Sequence, residues 1–231
     1  MDYTVSLDNV ILKGIVGSQA YGMAHADSDV DYLGVFAHST YALTSLHPPK
    51  LTIDHHEPDD VVLHEAGKFA RLAMGCNPSL LDLLWLDEYQ IKTDLGRQLV
   101  DIREAFLSAR RVKDAYLGYA TQQFKRITMR GDNSFSSDTK RRTAKHARHL
   151  LRLCETGYQL YSMGRMRLRV HDPQALFDFG ERVAAGELHV ASAMLSDYAA
   201  MFKGTASVLP KHPAESVIER WLLSVRMQNC R

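Results

Sequence analysis

Cysteine is scarce in this 231-residue chain: Cys76, Cys154 and Cys230 stand far apart, and no CxxC pair occurs. That scarcity argues against a disulfide framework and a cysteine-based zinc site. No apolar run approaches the roughly 20 residues a membrane-spanning helix needs. Met1-Asp2-Tyr3 opens no basic, then apolar, signal region. A cytoplasmic protein is therefore expected. Neither GxSxG nor GxGxxG is present, which leaves serine-hydrolase and dinucleotide-binding readings without support. Internal repeats and low-complexity segments are also missing. What is there is an ordinary globular composition, 45% hydrophobic and 24% charged, in a chain long enough to bury a conventional core.

The net charge of +1 conceals a strong asymmetry. Residues 1–109 hold 7 Lys/Arg against 16 Asp/Glu, residues 110–170 hold 15 against 4, and residues 171–231 hold 6 against 7. An acidic part followed by a basic part is the arrangement expected where metal ions and phosphates meet.

Hydrophobic patterning divides the chain in a similar place. VILKGIV (10–16), YLGVFA (32–37) and LTIDHH (51–56) read as strands, and EPDD (57–60) reads as a turn. From Val62 the spacing turns helical, with Val62, Ala66, Phe69, Ala70, Ala73 and Met74 on one face, ending near Gly75-Cys76-Asn77-Pro78. Ser79 is the expected cap of a short helix through Trp85. Beyond about residue 95 the pattern is helical, broken by the polar stretch RGDNSFSSDTK (130–140) and by the extended piece RLRVHDP. The fold class expected is α/β (α+β): a small mixed-sheet domain over 1–98, then a mainly helical domain over 99–231.

The stretch GSQAYGMAHADSDVDYLGV, residues 17–35, carries the chemistry. Asp29 and Asp31 stand two apart, which on a strand points them to one face. Two such carboxylates raise each other's proton affinity unless a cation neutralises them. Magnesium fits, because it takes oxygen ligands from one or two carboxylates and completes its shell with water and substrate phosphates. Upstream, Gly17 has no side chain to hold a phosphate off, and a following helix would offer backbone N–H groups and the Ser18 hydroxyl. Tyr21 has two open readings, packing beneath this turn or touching the nucleotide.

These residues resemble the signature of the DNA polymerase β type nucleotidyltransferases, a hydrophobic-Gly-Ser followed about ten residues later by Asp-x-Asp. With DDVVLHEAGKFARLAMGCNPSLLDLLW and KHARHLLRLCETGYQL, the chain is similar more narrowly to the RNA-ligase-associated nucleotidyltransferase branch, over about residues 10–165. The resemblance implies two magnesium ions (manganese as a substitute), a nucleoside triphosphate as substrate, and a third carboxylate best matched by Asp60, with Asp54, Glu57 and Asp59 as rivals. It also implies a basic side chain on the triphosphate, for which Lys145 is the candidate, and an RNA partner.

On the helix expected over 140–161, Arg141, Lys145, Arg148 and Arg152 recur at helical spacing beside His149. They are candidates for receiving a nucleic-acid backbone, against the plainer reading of a solvated face. Arg141 with His146, or Arg142 with His149, also resembles the short signature of HEPN-type ribonucleases. A catalytically inactive, antitoxin-like binding partner is the remaining alternative. His55, His56 and His64 fit no zinc spacing.

Overall fold

A computed structural model describes residues 9–25, 28–56, 59–129 and 137–230. They form two units, one reaching to Leu107 and rejoined by His212 onward, the other Ser108–Lys211. The sequence pattern suggested a division at residue 98; in the structure the last helix belongs with the sheet.

The first unit is built on a five-stranded mixed sheet. Its strands are β1 (Val10–Val16), β2 (Asp31–Phe36), β3 (Thr52–His55), β4 (Asp60–Glu65) and β5 (Ile91–Lys92), in the order β3-β4-β2-β1-β5. β1 pairs antiparallel with β2, and β2 pairs parallel with β4. Three of these strands follow the β-branched and aromatic runs read from the sequence. The helical spacing assigned from Val62 starts too early, because residues 60–65 are a strand. Val61 and Val62 suit a pleated ladder, and parallel pairing with β2 overrides the local helical pattern. The helix α3 (Ala66–Met74) begins only where the Glu65 side chain accepts from the N–H groups of Gly67 and Lys68.

Short helices α1 (Gly17–Tyr21) and α2 (Thr40–Leu43) flank β2 in sequence, and α4 (Pro78–Leu84) and α5 (Asp94–Asp101) follow α3. α4 is capped by Asn77, whose side chain accepts from Ser79 and Leu80, with Pro78 in the first turn. Ser79, the cap expected from sequence, already lies inside the helix. A Pro at the first helical position loses no hydrogen bond, which moves the start back. Phe36, Leu12, Phe69, Leu81, Leu83 and Leu99 are fully buried in this unit.

The C-terminal helix α10 (Glu215–Gln228) completes the first unit. Trp221 donates from Nε1 to the carbonyl of Leu95 at 3.0 Å. Arg226 donates to Glu65 at 2.5 Å, and Glu65 is only 1% exposed.

The second unit is helical: α6 (Ala109–Thr128), α7 (Ser137–Met163), α8 (Pro173–Ala184) and α9 (Leu188–Gly204). Val112, Tyr116 and Ala120 of α6 are buried, as are Ala144, Ala147, Leu150 and Cys154 of α7. Much of the polar stretch at 130–140, including Phe135, lies outside the described residues, as do Glu57 and Pro58. Among the described residues no helix is long and apolar enough to cross a membrane.

Candidate active site

The starts of two interior strands gather the carboxylates. β2 begins at Asp31 and β4 begins at Asp60, and the parallel ladder sets these two in register. On the other side Asp31 faces Val16, the last residue of β1. In-register neighbours present their side chains on the same face. A recess of about 320 Å³ opens there, with Asp31 and Leu33 from β2, and Asp60, Val62 and His64 from β4, in its wall. The i, i+2 alternation of a strand accounts for that set. Asp29, just ahead of β2, is exposed.

Gly17 stands against this pair. Its φ of +69° lies in the left-handed region, and a Cβ there would collide with Oδ2 of Asp31. The small residue and the carboxylate are thus one device: the bend out of β1 turns tightly because nothing projects from it, and Asp31 fills the space. The five-residue α1 begins at this bend, with Ser18 half-buried. Tyr21 donates its hydroxyl to Oδ2 of Asp82 at 2.5 Å, and Asp82 is 1% exposed on α4. This bond ties Tyr21 to α4 and is compatible with both of its readings, packing beneath the turn and touching the nucleotide.

His56 is the member of the site that the sequence did not announce. Its Nδ1 lies 2.8 Å from Oδ1 of Asp60, and that hydrogen bond, followed by the carboxylate's charge, raises the imidazole's pKa. The sequence signal was a histidine four residues ahead of the aspartate, across a stretch that reads only as a turn. Nearby, Lys68 donates from Nζ to Oγ1 of Thr52 at 2.6 Å, and Thr52 Oγ1 lies 2.9 Å from Nδ1 of His64. Burial first, and the Lys68 charge second, lower the His64 pKa. Both effects favour the neutral form of the His64 imidazole. Asp54 and Asp59, rivals for the third carboxylate, are exposed; Glu57 lies outside the described residues.

Among the described residues, no group of three or more His, Cys, Asp and Glu stands gathered for a metal ion. The donor types nevertheless suit a hard divalent cation. Asp31 and Asp60 offer carboxylate oxygens in register, and Gly17 carries no side chain that would displace the first of them.

In the second unit, the basic residues singled out on α7 do not form one solvated stripe. Arg141 and Lys145 are exposed, Arg148 is half-buried, and Arg152 is only 5% exposed. Arg148 lies over the Phe177 ring at 4.9 Å and within 3.8 Å of Glu181, both on α8. The turn of the helix thus sends two of the cations to solvent and two toward packed neighbours. Burial, ahead of the charges of Arg152, His146, Arg126 and Lys145, pushes the His149 pKa down to about 3. This imidazole carries no charge at neutral pH. His146 lies 2.8 Å from Gln123 Oε1, and Arg142 pairs with Asp138.

Residues 3–174 match the model of a protein family described as RNA repair pathway DNA polymerase beta family. Among solved structures, a similar chain is a nucleotidyltransferase-like protein from Exiguobacterium sibiricum 255-15. It is 15% identical, and the match covers 97% of this chain and 76% of that one at a TM-score of 0.35. No curated protein matches the sequence.

Proposed function

The chain belongs to the RNA repair pathway DNA polymerase beta family, and from that membership we propose that it transfers a nucleoside monophosphate from a nucleoside triphosphate to an acceptor hydroxyl at an RNA end. The observation that carries this reading is the Asp31–Asp60 register, with Gly17 closed against the first of the two carboxylates.

In the proposed reaction the acceptor oxygen forms a bond to the α-phosphorus. The bond from that phosphorus to the bridging oxygen breaks, and pyrophosphate leaves with the electron pair. Asp29, Asp31 and Asp60 would hold magnesium, which when bound supplies positive charge against the phosphate oxygens and the leaving group. Asp60 takes the hydroxyl proton at its carboxylate, and His56, bonded to Oδ1, fixes the orientation of that carboxylate. Gly17 and Ser18 receive phosphate oxygens at the bend after β1. His64 in its neutral form presents no charge to a metal ion beside Asp60. In the second unit, Lys145, exposed on α7, is the cation proposed for the triphosphate, and exposed Arg141 is proposed for the RNA backbone. Arg148, Arg152 and His149 are assigned a supporting place behind them rather than direct contact, in keeping with their burial.

The test is incubation of the protein with magnesium, each α-labelled nucleoside triphosphate in turn and a set of RNA ends. Label transfer to RNA, with release of pyrophosphate, is expected. Absence of transfer to any nucleic acid, protein or small-molecule acceptor overturns the reading. RNA cleavage without triphosphate, dependent on Arg141 or His146, would replace it with a nuclease.

A further inference from the structure

We propose that the second unit carries a binding cleft for the phosphate backbone of single-stranded RNA, built on the irregular segment after α7 and lined by none of the residues of the acidic recess. Past α7 the chain runs without regular hydrogen bonding, and its side chains alternate. Met166 and Leu168 are buried at 6% and 8%, while Arg165, Arg167 and Arg169 are exposed. The alternate burial puts the three arginines on the exposed side of the segment. At a strand's rise of about 3.3 Å per residue, Arg165 to Arg169 span at most about 13 Å. Charge spread over that length suits a chain of phosphates better than a single phosphate group.

The segment is held in place. The Arg167 N–H donates to Oε1 of Gln159 on α7 at 2.7 Å, and the Tyr116 hydroxyl reaches Sδ of Met166 at 3.8 Å. All three arginines border a cleft of about 710 Å³, whose lining also includes Arg152 of α7. Among the described residues no carboxylate pairs with Arg165, Arg167 or Arg169. Two acids, Glu155 and Asp172, line the same cleft against four arginines, and Asp172 also caps α8 by accepting from the Ala175 N–H.

Among the described residues no Phe, Tyr or Trp lines the cleft, which leaves it without the aromatic platforms that stack bases. Binding is therefore expected to track the backbone and to ignore sequence. The choice of RNA over other phosphate chains rests on the transferase reading above.

The test is fluorescence anisotropy with a labelled single-stranded RNA of mixed sequence, without magnesium or nucleotide, at several salt concentrations. Three arginines on three phosphates of a single strand contribute about 2 to the slope of log affinity against log salt. The variant Arg165→Gln/Arg167→Gln/Arg169→Gln should lose that contribution and bind at least about tenfold more weakly, with an unchanged melting temperature because the three positions are exposed. Each single variant should lose about 0.7 of the slope, which keeps the test decisive if the triple variant folds poorly. An unchanged slope overturns the proposal. So does inorganic tripolyphosphate competing as well as RNA at equal phosphate concentration, which would mark a small-anion site. Wild-type protein that binds the strand with this slope and transfers no label would sink the transferase reading alone, so a failed transferase reading and a failed cleft give different results.

Discussion

A Cβ on Gly17 would lie 2.3 Å from Oδ2 of Asp31, so the Asp31 carboxylate keeps its place beside the bend after β1 only while position 17 has no side chain. Gly17→Ala should therefore act twice. The left-handed backbone costs about 1–2 kcal/mol for an alanine, and relief of the collision moves the Asp31 carboxylate away from Asp60. Denaturant unfolding should show the stability loss, and label transfer should fall by more than that loss explains. Full transfer with normal stability would mean that the contact has no part in the site.

The partnership between Arg226 and Glu65 ties the last helix to the start of α3. Glu65 is 1% exposed and also caps α3, so removing its cation leaves a buried carboxylate without its charge partner. Arg226→Ala should cost about 3–5 kcal/mol in urea unfolding. The double change Glu65→Gln/Arg226→Met, which removes both charges, should recover part of that loss. A loss below about 1 kcal/mol would place the pair with ordinary surface contacts.

His149 makes stability depend on acid. Its folded pKa is about 3, against an ordinary value of 6.5, so the unfolded chain binds this proton more readily. Its contribution is fully present above about pH 6.5 and is lost as pH falls toward 3. The slope approaches about 1.4 kcal/mol per pH unit inside that window. His149→Gln should flatten the curve between pH 6 and 4 relative to wild type. Parallel curves would show that the imidazole protonates as easily folded as unfolded.

The strands that build the site were legible because each carries its own signal. Val10–Val16 and Asp31–Phe36 are rich in β-branched and aromatic residues, and Gly17 marks the bend between them. The Asp-x-Asp spacing and the family resemblance together pointed to these strand starts. Val62 was read into a helix because the spacing of Ala66, Phe69 and Ala73 extends smoothly back to it, and only pairing with β2, a contact across some thirty residues, decides otherwise. The return of α10 to the sheet unit was likewise hidden, since Trp221 reaches Leu95 and Arg226 reaches Glu65 over separations that no local pattern records. On α7, charge periodicity located the cations, while the neighbours that cover Arg148 come from α8. His56 stayed out of view because its meaning is its bond to Asp60.

The most direct measurement is the rate of label transfer from nucleoside triphosphate to RNA by wild type, Asp31→Asn and Asp60→Asn, each checked for an unchanged melting temperature. Both substitutions keep the side-chain volume and remove a charge from the paired strand starts, so each should slow transfer by at least about 100-fold while the protein stays folded. Transfer at the wild-type rate by a folded Asp31→Asn protein would contradict the account.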